Sequence, residues 1–413
     1  MNILIVTQYF WPEEFRINDL AVGFQQQGHQ VTVLTGIPNY PSGNFFAGYG
    51  YFKNRRQILE GVKILRVPLI SRGDGSALRL VLNFLSFAFL STVLAPFYCR
   101  GKFDAIFVFE PSPITVGLPA ILLKWIKKAP ILFWVLDLWP DSLAATRTIT
   151  SPFILRWISR LVNFIYKRCD LILVQSQGFV AHVQQFGIAE NRVKYFPSWA
   201  EDFYQPTRAE PSAVLPLPQG FRVMFAGNIG AAQDFGTILD AAELLKDDPE
   251  IHWIIVGDGR MSEWVRQQVV ARALSGNVHL LGRYPVKVMP QFFAQADALL
   301  VSLVRAPIFA LTIPGKIQSY LACGRPIIAM LDGEGARIVR EAEAGITCPA
   351  EDAAALAEAV RVMRHQSLDM REAMGRKGRQ YYEENFGRAL LFDRLESWMR
   401  ELSASSKIRR RAN

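Results

Sequence analysis

What most constrains the fold is an alternation that runs twice along the chain. Short continuous apolar runs, rich in Val, Ile, Leu and Phe, are separated by longer amphipathic segments. Asn2–Thr7, Gln30–Leu34, Val62–Val67, Asp104–Phe109, Ile131–Leu136 and Leu171–Val174 make the first series, with a helix expected over Asn18–Gln27. Phe221–Gly227, Trp253–Val256, Val278–Leu281, Ala298–Val301 and Ile327–Leu331 make the second. Strands without polar alternation, joined through helices, predict parallel sheets covered on both faces. Between the series, Gln205–Gly220 contains Pro and Ser and has little periodicity, as expected of a linker. The expected fold is therefore α/β with two domains, 1–204 and 221–385, a linker at 205–220, and a helical tail from Leu368 broken near Phe386-Gly387.

Composition narrows the function. With half of its 413 residues hydrophobic and a fifth charged, the chain affords two large cores. Its four cysteines, Cys99, Cys169, Cys323 and Cys348, form no CxxC and no His/Cys cluster, the pattern of reduced thiols without a zinc site. The net charge of +9 admits nucleic acid, an anionic membrane or phosphate-rich substrates as partners. Lys and Arg are spread along the chain, apart from the tail Lys407-Ile-Arg-Arg-Arg411, which argues against nucleic acid. Met1–Thr7 lacks the basic start of a signal peptide and reads as a buried strand. Leu80–Cys99 carries no charge over twenty residues, enough to span a bilayer. Asn83, Ser86, Ser91, Thr92 and Pro96 interrupt it, so burial on a domain and an interfacial position, with Arg79, Arg100 and Lys102 on the headgroups, stand beside spanning. Pro152–Arg168 reads as an amphipathic helix with an aromatic stripe, packed on the core or lying on a membrane.

In α/β sheets, ligands gather beyond the carboxyl ends of strands, and the unusual residues lie there. In Thr312–Pro326 the sequence predicts a loop, a helix opening at Pro314-Gly315-Lys316, and a stop at Gly324-Arg325-Pro326. Such a helix start offers free N–H groups and a positive dipole end to an anion. Lys316 adds a full charge where a purely structural helix prefers Asp or Glu. Gly227-Asn228-Ile229-Gly230 suits a phosphate cradle or a plain strand–helix turn. Gly257-Asp258-Gly259 reads as a structural turn. Asp137, ending a buried strand, is a candidate to orient or deprotonate a substrate hydroxyl, with Asp141 a capping residue. Glu110 ends the preceding strand. Asp332-Gly333-Glu334 follows the strand after the Lys316 helix. No GxGxxG or GxxxxGK[ST] occurs, which removes the main support for dehydrogenase-type and P-loop chemistry. His29 reads as a turn residue, and His182, His252, His279 and His365 receive no role.

Together these motifs resemble the GT-B glycosyltransferases of family 4, and most the bacterial subgroup that builds O-antigen and capsule repeat units, such as N-acetylfucosamine transferases. The resemblance rests on Gln26–Thr35, Pro38–Gly43, Asp137-Leu-Trp-Pro-Asp-Ser142 and Asp170–Ser176 in the first half. In the second it rests on Gly227–Gly230, Val256–Gly259, Gly282-Arg283, Ile313–Lys316 and Tyr320–Ile327. It implies two Rossmann-like parallel-sheet domains facing a central cleft, and a C-terminal helix, 386–413, that crosses back to the first domain. It also implies a retaining, metal-independent transferase without cofactor. The second domain would bind the nucleotide-sugar donor, the base near Gly282-Arg283 and the diphosphate near Gly227-Asn228 and Ile313–Lys316; with the residues read from the sequence itself, the candidate donor-binding set is Gly227, Asn228, Gly230, Arg283, Pro314, Gly315, Lys316, Ser319, Gly333 and Glu334. The first would bind an acceptor saccharide, often undecaprenyl-diphosphate-linked; the candidate acceptor-side residues read from the sequence itself are Arg16, placed to hold the acceptor's diphosphate or reach the donor, Glu110 and Asp137. The enzyme would act in lipopolysaccharide or capsule synthesis, peripheral on the cytoplasmic face of the inner membrane.

The chain departs from the family at telling positions. Two glutamates usual in the donor site are replaced by Leu311 and Ser319, Asn228 stands for a common Arg, and Asp137 for a common His. The leaving diphosphate still needs positive charge, which leaves Lys316, its helix N-terminus and Arg283 to supply it. Glu334 is a candidate to replace a sugar or ribose contact, and Asp137, Lys316 and Glu334 are the candidate catalytic residues. A GT-B sugar-nucleotide 2-epimerase and an inactive nucleotide-sugar-binding subunit are the alternatives.

Overall fold

The computed structural model describes residues 1–145, 149–208 and 216–412, with side chains as far as Ile408. Two compact units emerge, Met1–Phe196 with the chain from Phe392 onward, and Pro197–Leu391.

In the first unit, β1 (Asn2–Val6), α1 (Arg16–Gln26), β2 (Gln30–Gly36), β3 (Arg56–Leu59), β4 (Val62–Val67) and α2 (Ala77–Tyr98) are followed by β5 (Ala105–Glu110), α3 (Gly117–Lys127), β6 (Ile131–Val135), α4 (Asp141–Ala145), α5 (Pro152–Arg168), β7 (Leu171–Val174), α6 (Gln177–Gln184) and β8 (Val193–Tyr195). The sheet order is β3-β4-β2-β1-β5-β6-β7-β8, parallel except for the β3–β4 edge hairpin. Strands β1, β5 and β6 are buried almost throughout, which is why they read as uninterrupted apolar runs. The order reverses between β1 and β5, so the loops after these strands form the unit's switch point.

In the second unit, β9 (Phe221–Ala226), α7 (Phe235–Leu244), β10 (Ile251–Val256), α8 (Ser262–Ala271), β11 (Val278–Gly282), α9 (Met289–Gln295), β12 (Ala298–Ser302), α10 (Pro307–Ala310), α11 (Gly315–Ala322), β13 (Ile327–Met330), α12 (Glu334–Glu341), β14 (Gly345–Cys348), α13 (Ala353–His365) and α14 (Leu368–Asn385) follow in order. The sheet, β11-β10-β9-β12-β13-β14, is wholly parallel and reverses at β9. Its core packs Trp253, Phe225 and Leu300 against Leu239 on α7 and Val360 on α13. The last helix, α15 (Arg388–Ala412), contributes to the first unit from Phe392 onward. There Phe392 meets Phe24 at 5.4 Å, Trp398 meets Phe196 at 6.1 Å, and Glu396 pairs with His29 at 3.3 Å.

Three differences from the sequence reading have physical causes. The boundary between the units lies at Phe196, not at 204. The carbonyl of Phe196 accepts the Trp134 indole N–H (3.0 Å), whereas Ala200 is held at both its N–H and its C=O by the Tyr382 hydroxyl of α14. Composition changes later, within 205–220, of which residues 209–215 lie outside the described residues. The short edge strands β3, β8 and β14 carry little apolar signal and escape periodicity. Third, α2 turns its polar residues inward. Asn83 is fully buried and donates to the Ile70 carbonyl (2.6 Å) while accepting from Gln8 (2.6 Å), and Ser91 donates to Phe87 within the helix. Two of the residues that argued against a lipid environment, Asn83 and Ser91, thus face the core, while Leu78, Leu85, Phe89 and Phe97 face outward.

Candidate functional sites, one in each unit

In the second unit, tight backbone packing shapes the switch point. Gly257 has φ +148°, and a Cβ there would lie 1.9 Å from the Gly227 carbonyl; Gly227 N–H bonds Val256 and Gly257 N–H bonds Gly282. The Gly-Asp-Gly turn is therefore structural, as its sequence suggests. Replacing Gly257 by Ala should destabilise the protein by about 2 kcal/mol or more, read as a lowered urea midpoint. An unchanged midpoint would remove this account of the turn.

Helix α11 is anchored beside the end of β9. The buried Tyr320 hydroxyl bonds the Ala226 N–H (3.2 Å) and lies 3.4 Å from the carbonyls of Ala226 and Leu300. One turn earlier, Lys316 lies on Gly227, where a Cβ would meet Lys316 Cε at 2.7 Å. Its ammonium sits 3.3 Å from the centre of the Phe225 ring, buried and without a hydrogen bond or ion pair among the described residues. Burial pushes its pKa down to about 7. A cation–π contact offsets part of the desolvation but leaves the charge without an anion. The helix opens at Pro314 with no side-chain cap, and the space in front of Gly315 is open. Gly227 and Asn228 are exposed beside it.

The remaining donor-side candidates divide. Gly333 has φ +73° and touches Ala310, so glycine is required there, and the first turn of α12 packs on Pro314 and Ile317. That brings Glu334 to the same edge, but its carboxylate is held by Arg337 at 2.8 Å. Ser319 is buried and donates back to the Gly315 carbonyl (3.4 Å); it is a helix residue rather than a stand-in for a carboxylate. Arg283 is exposed at the end of β11 near Asp258, and Gly230 caps its own turn with Gln233 (3.1 Å).

In the first unit, the loops after β1 and β2 are tied together by a residue to which the sequence assigned no role. Glu13, 2% exposed, accepts from the backbone N–H groups of Asn39 (2.8 Å), Tyr40 (2.8 Å) and Phe10 (3.2 Å). Burial raises its pKa to about 7 against these bonds. Asn39 in turn accepts from the Arg72 backbone (3.1 Å), and the Arg72 guanidinium donates to the Tyr9 hydroxyl (3.0 Å) while lying over the rings of Tyr40 and Phe84. Arg16 opens α1 beyond this loop.

Asp137, two residues past β6, accepts from the Trp139 indole (3.0 Å). Burial raises its pKa, and the hydroxyls of Ser142 and Ser112 pull the other way. Glu110, ending β5, is fully buried, with neither carboxyl oxygen hydrogen-bonded among the described residues. Burial first, then the nearby Asp137 carboxylate, pushes its pKa well up. Glu110 is therefore a wholly buried group behind Asp137 rather than one offered to a ligand, and of the acceptor-side candidates Asp137 alone combines partial exposure with a raised pKa. Asp141 opens α4 and lies 3.2 Å from His182, a partnership no spacing rule reveals.

With this geometry in hand, comparison with known proteins gives consistent matches. The family described as "Glycosyl transferase 4-like domain" matches residues 14–199, and "Glycosyl transferases group 1" matches residues 220–365. The chain is 27% identical over 285 residues to the probable glycosyltransferase WbjE of Pseudomonas aeruginosa, covering 67% of this chain and 70% of that protein. It is 25% identical over 338 residues to the putative colanic acid biosynthesis glycosyl transferase WcaI of Escherichia coli, covering 78% and 82%. Among solved structures, Anabaena Alr3699/HepE in complex with UDP and glucose aligns with a TM-score of 0.69 at 14% identity, over 97% of this chain and 99% of that one. WaaG, a glycosyltransferase involved in lipopolysaccharide biosynthesis, aligns with a TM-score of 0.64 at 14% identity, over 95% and 97%.

Proposed function

The chain belongs to the GT-B glycosyltransferases of family 4, and from that premise we propose that it moves a sugar from a nucleotide-sugar donor to a lipid-linked saccharide in bacterial surface-polysaccharide synthesis. The observation that carries the reading is the buried, anion-free ammonium of Lys316 at an uncapped helix start. A diphosphate placed before Gly315 would receive the helix N-terminus, the exposed Gly227-Asn228 backbone and the Lys316 charge together. The relatives support the substrate class. HepE is described with UDP and glucose, and WcaI and WaaG are named for colanic acid and lipopolysaccharide synthesis.

In the proposed reaction the acceptor oxygen bonds the anomeric carbon as the bond from that carbon to the phosphate oxygen breaks. The electron pair leaves with the nucleoside diphosphate, whose growing charge Lys316 neutralises without a metal. The acceptor hydroxyl gives its proton to Asp137, which burial makes a stronger base than a free aspartate. Displacement on the same face retains the anomeric configuration. The work is done at the cytoplasmic surface of the inner membrane, a placement supported by the outward apolar face of α2, where Leu78, Leu85, Phe89 and Phe97 are all more than half exposed.

Incubation with UDP-, GDP- and dTDP-sugars, with and without a polyprenyl-diphosphate-linked saccharide, tests the reading. Nucleoside diphosphate should appear only when both substrates are present. Conversion of the donor alone would point to an epimerase, and donor binding without release under any condition to an inactive subunit.

A further inference from the structure

The largest anomaly outside the two sites is apolar. On the first unit, α2, α3 and α5 enclose an open groove of about 620 Å³, within the range of small-ligand pockets. Leu85 and Phe89 line it from α2, Leu122 and Trp125 from α3, and Phe164 from α5. Each pair is spaced about one helical turn, so the two stripes run along the groove rather than across it. Trp125 is 79% exposed, Phe89 68% and Leu85 55%. Isolated exposed apolar residues need no explanation, but a contiguous concave set does.

The ends of the groove differ. Beyond one end, Phe84, one helical turn before the lining residue Ala88, lies between two groups of the acceptor-side loops. Its ring is 5.9 Å from the Arg72 guanidinium and 6.4 Å from Trp139, whose indole N–H donates to Asp137. Arg72 is a cation among aromatic rings, and it makes no ion pair among the described residues. From there, Leu85 to Thr92 continues along α2 for about 10 Å. On the far side, Arg168 lies over the Phe164 ring, at 3.5 Å. A cationic group at one end of a hydrocarbon channel fits one kind of molecule, an anionic amphiphile.

We infer that this groove holds the hydrocarbon tail of the phosphate-linked lipid that carries the acceptor sugar, with its phosphate beside Arg72 and its sugar towards Asp137. This rests on the transferase reading and adds to it a tail-binding subsite. Continuity favours this occupant over bulk phospholipid: Phe84 lies one helical turn before Ala88, which lines the groove, and its ring neighbours Arg72 and Trp139, so a chain lying in the groove has its head directed to the candidate acceptor residues. A patch serving only as a bilayer contact needs neither a channel nor a cation at its inner end.

The test uses the full chain and a dodecyl phosphate brominated at the chain terminus, below its micellar concentration, with quenching of tryptophan fluorescence as the readout. Wild type should be quenched. Trp125→Phe should lose at least half of the quenching, and Phe89→Glu and Arg72→Gln should each weaken binding at least tenfold. Inorganic phosphate should compete poorly with the alkyl phosphate. Quenching by brominated phosphatidylglycerol vesicles but not by the monomeric probe would overturn the inference in favour of a leaflet contact. A dimer that Phe89→Glu dissociates in sedimentation would overturn it in favour of a second copy. The thermal shift produced by a nucleotide sugar, measured on the same variants, reports folding and the donor site separately. If wild type binds the alkyl phosphate but no nucleotide sugar, the transferase reading fails; if the reverse holds, the groove inference fails alone.

Discussion

Lys316→Met should weaken nucleotide-sugar binding by roughly 10–150-fold, the loss of a charge-assisted contact worth about 1.5–3 kcal/mol, and should make the empty protein more stable. The two effects share a cause. In the folded, ligand-free state burial holds the Lys316 pKa down to about 7, whereas the unfolded chain keeps the usual lysine value. Below pH 7 both states are protonated and the folded state bears the whole cost of a buried ammonium. As pH rises above 7 the folded state releases its proton first, so the cost is progressively relieved and stability rises. Removing the charge should therefore stabilise the ligand-free protein by on the order of 2–4 kcal/mol at pH 7 and below, with the gain shrinking as pH increases. For the donor the sign is reversed. The bound diphosphate selects charged Lys316, so wild-type affinity should be flat below pH 7 and fall above it, by up to tenfold per pH unit, until it meets that of the Met variant. The Met variant should show no such slope. Thermal melts and donor titrations across pH check both limbs. Equal donor affinity in the two proteins would remove Lys316 from the site.

Asp137→Asn should lower turnover by about 10²–10⁴-fold, the usual contribution of a general base, while leaving the donor-induced thermal shift intact. Asn keeps an oxygen for the Trp139 indole N–H, so the loop should hold its shape and the loss should fall on kcat. In wild type the raised Asp137 pKa requires that turnover decline on acidification as the carboxylate takes up its proton. A variant with near-normal kcat would reduce Asp137 to a loop fastener.

The double α/β alternation was legible because parallel strands buried on both faces leave continuous apolar runs. The helix opening at Pro314 was legible because Pro, Gly and a misplaced Lys follow general rules of helix termini. What escaped depends on contacts between distant segments. Glu13 joins the loops after β1 and β2 through backbone N–H groups of Asn39 and Tyr40, and a backbone donor leaves no trace in sequence. Arg72 finds Tyr9 across 63 positions. Ser319, the replacement for a family glutamate, reads as an open question in sequence, and the fold answers it locally with a back-bond to Gly315. Helix α2 shows a limit of composition. Its polar residues counted as interruptions, yet Asn83 and Ser91 are wholly buried on the inner face, and the sequence gives their number but not the partners that decide which way they point.

The most direct test of the account is the number of protons taken up when a nucleotide sugar binds at pH 8, measured by calorimetry in buffers of different ionisation enthalpy. With the UDP-, GDP- or dTDP-sugar that stabilises the protein most, wild type should take up roughly 0.4–0.8 proton, from Lys316 charging against the diphosphate, and Lys316→Met close to none. Tight binding by wild type with no proton uptake would contradict it, because the diphosphate would then sit away from Lys316.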